Sequence, residues 1–204
     1  MVDMMLPAST VLASLGLTAV LAVGPERAHA RQTLAELTAT PEDAATLFLR
    51  SVRAIRWSTA AQFMHADALA DFRETVTMIA EADTSGANRE YLVGVDAAGL
   101  AALDPAEIFD RAIGALIEDM PGLMHALYDR DDEVLGHVPD GARDAHVVYR
   151  TTARISGALP EVKVARMRAG DAGGWRVLWS DELEVLEAAL RGVPRTRRPP
   201  PPGS

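Results

Sequence analysis

Apolar residues recur every three to four positions through the first half of the chain and every second position through much of the second half. The first period belongs to helices with one buried face, the second to strands half buried in a sheet. Ala44, Leu47, Phe48, Val52 and Ile55 carry the helical period over residues 41–57. Thr40-Pro41-Glu42-Asp43 opens that helix with a capping hydroxyl, a proline with no amide to lose, and two acids at the positive helix end. Ser58 can cap a short second helix with Ala61 and Phe63 or Met64 inward. Leu69, Phe72, Val76 and Ile79 predict a helix over 66–82, broken by Thr84-Ser85-Gly86-Ala87-Asn88. Asp104-Pro105-Ala106-Glu107 starts another, through Ile108, Ala112, Leu116 and Ile117 to Pro121-Gly122, with a short turn over 123–128. The short apolar run Tyr91-Leu92-Val93-Gly94-Val95 reads as a strand.

From residue 133 the period shortens. Residues 133–138, 145–156, 161–169 and 174–180 read as strands, separated by turn-forming stretches of hairpin length. Residues 181–191 close the unit as a last helix or an extended end. Helices followed by hairpin-linked strands predict an α+β fold, with the helices packed on one face of an antiparallel meander. Alternation assigns the faces. Val147, Tyr149, Thr151, Ala153 and Ile155, with Trp175, Val177 and Trp179, should look toward the helices. His146, Arg150 and Arg154, with Arg166, Arg168 and Arg176, should form a basic stripe on the outer face. That stripe is surface by default, and otherwise an interface for a homodimer or an acidic partner.

Composition narrows the function classes. The chain has 204 residues, a net charge of −9 and no cysteine. It therefore has no disulfide, thiolate nucleophile or cysteine-ligated metal. A protein this acidic lacks the basic surface that phosphate contacts need, so nucleic acid is excluded as a partner. Lys163 is the only lysine.

The ends differ from the middle. Residues 11–24 are uncharged and mostly apolar, and Ala28-His29-Ala30 follows as an A-x-A cleavage pattern. The run is shorter than the ~20 residues a membrane-spanning helix needs. We therefore expect a signal peptide over 1–30, cut after Ala30, and export to the periplasm or beyond without stable membrane insertion. Residues 31–40 read as a linker and 41–191 as one domain. Residues 192–204, with Arg195, Arg197, Arg198 and four consecutive prolines, read as a disordered tail.

The segment RWSTAAQFMHADALADF (residues 56–72) and the closing hairpin VKVARMRAGDAGGWRVLWSDEL (residues 162–183), together with the opening helix, resemble the nuclear transport factor 2-like superfamily. That superfamily includes the SnoaL-like proteins and ketosteroid isomerases. The resemblance covers roughly residues 41–185. It implies helices held in the concave face of a curved sheet, a cone-like, cystatin-like architecture with a pocket at its open end. It also implies pairing through the outer sheet face. The helix from Pro105 departs from the pattern and is a candidate cover for the pocket mouth. A superfold of this kind hosts enzymes, binding modules and adaptors alike.

His65 and Asp67 are either an acid/base pair or the joint between two helices, and the joint is the commoner use. Tyr149, on the inner face, is a candidate to polarise a carbonyl. No acid shares its parity on 145–156 or 174–180, which argues against a proton shuttle. Asp181 and Glu182 follow the last strand, where acids are usually solvated. Trp57, Tyr149 and Trp179 are candidate pocket walls. The acidic run Asp129, Asp131, Asp132, Glu133 lacks the glycine and glutamate of a calcium loop, and His125, His137 and His146 have no metal spacing. Neither a metal nor a cofactor is expected. The preferred expectation is a non-catalytic binding domain for a small apolar ligand or a protein partner in the cell envelope. The alternatives are a small cofactor-free isomerase, dehydratase or hydrolase using His65, Asp67 and Tyr149, and an assembly module dimerising through His146, Arg150 and Arg154.

Overall fold

The computed structural model describes residues 34–193. The expected signal peptide, its cleavage site and residues 194–204 of the expected tail lie outside the described residues, as does the side chain of His125. Among the described residues, eight helices and four strands are arranged as α1 (Pro41–Arg53), α2 (Trp57–Gln62), α3 (Ala66–Ala82), α4 (Ala87–Val93), α5 (Ala97–Ala102), α6 (Pro105–Asp119), α7 (Pro121–Tyr128), β1 (Arg130–Asp140), β2 (Asp144–Ala153), β3 (Glu161–Ala169), β4 (Trp175–Ser180) and α8 (Asp181–Arg191). The strands form one antiparallel meander in the order β1-β2-β3-β4, with helices packed on one face. The expected α+β class is the observed one. Among the described residues no helix is long and apolar enough to cross a membrane.

Local chemistry explains most boundaries. The Thr40 hydroxyl accepts from the Asp43 amide and the Asp104 carboxylate from the Ala106 amide, so α1 and α6 begin where the caps predict. The first helix stops four residues early, because Ile55 takes a left-handed φ of 57° that a helix cannot continue through. Its side chain is exposed, not part of the buried face. The predicted strand at 91–95 belongs instead to α4. A short apolar run fits a buried helix as well as a strand, and here Asp83 accepts from the Asn88 amide at 2.8 Å while Gly94, at φ 67°, ends the turn. Before α1, residues 34–37 form a helical turn, and the Thr38 carbonyl accepts from the Trp175 amide at 2.7 Å. Part of the expected linker is thus fastened to β4.

Two bulges determine which side chains face the core. In β1, Val134 pairs with Tyr149 but Gly136 with Val148, leaving Leu135 extra. In β4, Val177 pairs with Met167 but Trp179 with Arg166, leaving Leu178 extra. Each extra residue reverses the alternation beyond it. Ser180 therefore turns inward and Trp179 outward. At the far end of β2, Ala153 is exposed despite its inward parity, and Ile155 lies beyond the strand.

The helix from Pro105 does not cover a pocket mouth. It is the central member of the helical layer, with Ile108, Phe109, Ala112, Ile113 and Leu116 fully buried against α2, α3 and α4.

Candidate functional site

The joint QFMHADALADF is built as a joint. His65 caps α3, its Nδ1 accepting from the Asp67 amide at 3.2 Å. A nitrogen that accepts from an amide presents its lone pair, so the nearby Asp67 carboxylate at 3.4 Å is a neighbour more than a partner. Asp67 instead accepts from Arg168 Nη1 at 3.0 Å. The backbone around His65 is stitched to β4, with the His65 amide donating to the Val177 carbonyl and the Val177 amide to the Phe63 carbonyl, both at 2.8 Å.

His65, Asp67 and Tyr149 do not share a cavity. His65 and Asp67 border a shallow polar depression with Arg143, Asp144, Arg168 and Asp171 at the hairpin end of the sheet. Tyr149 is wholly buried on the inner face. The catalytic alternative loses the convergence it needs. Trp57 is no pocket wall either: it is buried edge-on to Phe109 at 6.5 Å. Trp179, 41 % exposed, stands on the outer face beside Val164, Arg166 and Arg168.

Most of the outer basic stripe is paired with acids of the same chain, while Arg176 donates to the Thr38 hydroxyl at 2.7 Å. Arg150 pairs with Glu133, Arg154 with Asp131 at 2.6 Å, His146 with Asp140 at 3.2 Å and Arg168 with Asp144 at 2.7 Å. The Arg168 and Arg166 guanidiniums hold the Asp144 carboxyl down to about 2. Apart from the part-buried Arg168–Asp144 pair, the strip is a ladder of exposed cross-strand ion pairs, a kind that contributes little stability each.

The inner face holds what the sequence did not disclose. The Tyr149 hydroxyl donates to Glu182 Oε2 at 2.7 Å, and Arg130 Nη2 donates to Glu182 Oε1 at 2.8 Å. Arg130 Nε stands 3.2 Å from Asp132 Oδ1, an ion pair without the alignment of a hydrogen bond. Glu182 is 1 % exposed. An acid does, then, face Tyr149, supplied by the first turn of α8, and a second comes from β1. The argument from strand parity against a carboxylate in the cone is overturned, and so is the expectation of a solvated Glu182. Burial pushes the Tyr149 hydroxyl well above its ordinary range, helped by the Glu182 charge and its hydrogen bond. That hydroxyl stays protonated and serves as a donor to Glu182.

Asp132 is raised above the ordinary carboxyl range, chiefly by burial, with Arg130 opposing. The native state then binds more protons than the unfolded chain between the ordinary value and the raised one, so stability falls as pH rises through that window. Asp132→Asn abolishes this dependence. Urea melts should show the variant gaining on the parent as pH rises from about 4 and at least matching it at pH 7. A deficit above about 1 kcal/mol at pH 7 would instead make Asp132 a required counter-ion of Arg130.

Beyond this network, the inner face opens at the end of the sheet away from the 140–144 hairpin. A cavity of about 650 Å³ is lined there by Asp129, Arg130, Thr151, Ala153, Glu161 and Lys163, under the 154–160 loop that contributes Ile155, Ala158 and Leu159. Its volume lies in the range of small-molecule sites, ~300–1,000 Å³. Among the described residues no group of three histidines, aspartates or glutamates is arranged to hold a metal ion. Comparison of the chain with family models, curated proteins and solved structures finds no match.

Proposed function

We propose that this chain is an exported, non-catalytic binding domain whose small ligand occupies the cavity under the 154–160 loop. One observation carries the reading. The cavity has an apolar wall, and the Tyr149–Glu182 pair of the inner face lies outside its lining, with Glu182 spent on Tyr149 and Arg130. A general acid or base must reach the proton it moves, and a wholly buried Tyr149–Glu182 pair reaches only itself. Export rests on the apolar run at 11–24 and the Ala28-His29-Ala30 pattern. The resemblance to the nuclear transport factor 2-like superfamily supports a pocket at the open end of the cone.

Native mass spectrometry of the full-length gene product purified from its own host tests both parts at once. The expected mass begins at Arg31 and carries a non-covalent adduct, and Ala153→Trp, which fills the cavity, removes the adduct. A retained N-terminus overturns export by cleavage. An adduct that survives Ala153→Trp, or none in either protein, overturns the cavity reading.

A further inference from the structure

The cavity is polarised along its depth. Its mouth is the loop ISGALP (residues 155–160), which carries no charge. Ile155 and Leu159 are 67 % and 83 % exposed there and give the mouth its apolar surface. Its floor is formed by the inward residues of three strands, Arg130, Thr151 and Lys163. A molecule that satisfies both ends has an apolar body toward the loop and a polar head toward the strands.

The floor also specifies the head. Lys163, the only lysine of the chain, sits on the inner face opposite Tyr149, partly shielded from solvent. Its nearest carboxylate oxygen, on Asp181, is 3.9 Å away, beyond hydrogen-bond reach. Lys163 Nζ makes no hydrogen bond among the described residues, so its three donors are open. Arg130 spends Nη2 on Glu182 and Nε on its ion pair with Asp132, while Nη1 makes no hydrogen bond among the described residues. The buried Thr151 hydroxyl stands opposite Asp132 on β1 and helps to hold that carboxylate, so the free donors of the floor are those of Lys163 and Arg130. Donors without acceptors, on two side chains that are cationic, fit an acceptor head with negative charge. Asp129 and Glu161 stand at the rim and oppose an anion's approach, but they offer its head no donor.

We infer that the ligand is an amphipathic carboxylate, its head held by Lys163 and Arg130 and its apolar chain lying against Ile155 and Leu159. The inference rests on the cavity reading above, and one titration separates the two. The purified full-length chain is titrated with octanoate, 1-octanol and octylamine, following the amides of Ala153, Ala158 and Leu159 by NMR and affinity by calorimetry. Octanoate is expected to shift these amides and to bind about tenfold tighter than octanol, the worth of one charge-assisted contact. Lys163→Met should lower that ratio severalfold, with Arg130 keeping the remainder, and Lys163→Arg, which keeps the cation, should retain most of it. The two variants are compared only where their amide spectra show the native fold. Equal binding of octanoate and octanol overturns the carboxylate head and leaves the cavity standing. Tighter binding of octylamine overturns it too, giving the rim acids control of the sign. Failure of all three probes to move the cavity amides overturns the cavity reading itself.

Discussion

Glu182→Ala is expected to cost about 3–5 kcal/mol of stability, because it strands a positive charge in the interior. The Glu182 carboxylate takes one donor from Tyr149 and one from Arg130, at 2.7 and 2.8 Å, with its side chain closed to solvent. Without it, Arg130 keeps only Asp132, a carboxyl that burial pushes toward its neutral form. Tyr149 loses the acceptor its buried hydroxyl needs. Glu182→Gln keeps an acceptor for Tyr149 and should fall between the parent and the alanine variant. Arg130→Met with Glu182→Leu removes both charges, and should cost less than Glu182→Ala alone, since a buried pair is expensive to break and cheap to replace whole. Urea unfolding of the four proteins at pH 7 gives the comparison. A loss below about 1 kcal/mol for Glu182→Ala would mean that water reaches this network.

Why Glu182 escaped the sequence is instructive. It lies in the first turn of α8, behind the Ser180 cap, where an acid normally faces solvent and the positive helix end. What buries it is Arg130, 52 residues earlier, at the start of a strand that begins three residues before the expected boundary. With β1 taken back to Arg130, alternation through Asp132 and Val134 puts two charged residues on the inner face. A strand that points an arginine and an aspartate toward a core is a legible sign of a buried partner. The misplaced boundary hid it.

Trp179 failed for a different reason. The alternation Trp175, Val177, Trp179 is unbroken in the sequence, and the extra residue at Leu178 leaves no composition mark. Bulges are settled by the pairing strand, here β3, and pairing is not local information. The features read correctly were local: the hydroxyl and carboxylate caps at Thr40 and Asp104, the glycine-containing turns between strands, and the histidine joint. The candidate cavity combines both kinds. The turn-forming stretch at 157–160 marked a connection, but only the meander brings Arg130 and Lys163 to one floor, with β2 between their strands.

The other large effect is expected in the helical layer, at Phe109→Ala, with a loss of about 3–5 kcal/mol. Phe109 is fully buried on α6 and meets Phe72 of α3 edge-on at 4.9 Å and Trp57 of α2 at 6.5 Å. Three helices thus converge on one ring, and each edge-to-face pair adds about 0.5–1.5 kcal/mol beyond burial. A truncated ring leaves a void that these partners can close only in part, since α2 and α3 are joined through the His65 segment and tied to β4 there. Phe109→Leu refills most of the space and should cost much less. In a background carrying Trp175→Phe and Trp179→Phe, Trp57 alone reports the site, so urea melts followed by fluorescence measure the loss where it arises. If the helical layer and the sheet share one core, fluorescence and far-ultraviolet circular dichroism will shift together in Phe109→Ala. Separate transitions would mean that α6 organises a helical unit able to unfold while the sheet and its cavity persist. A loss under about 1 kcal/mol would remove Phe109 from the centre of the core.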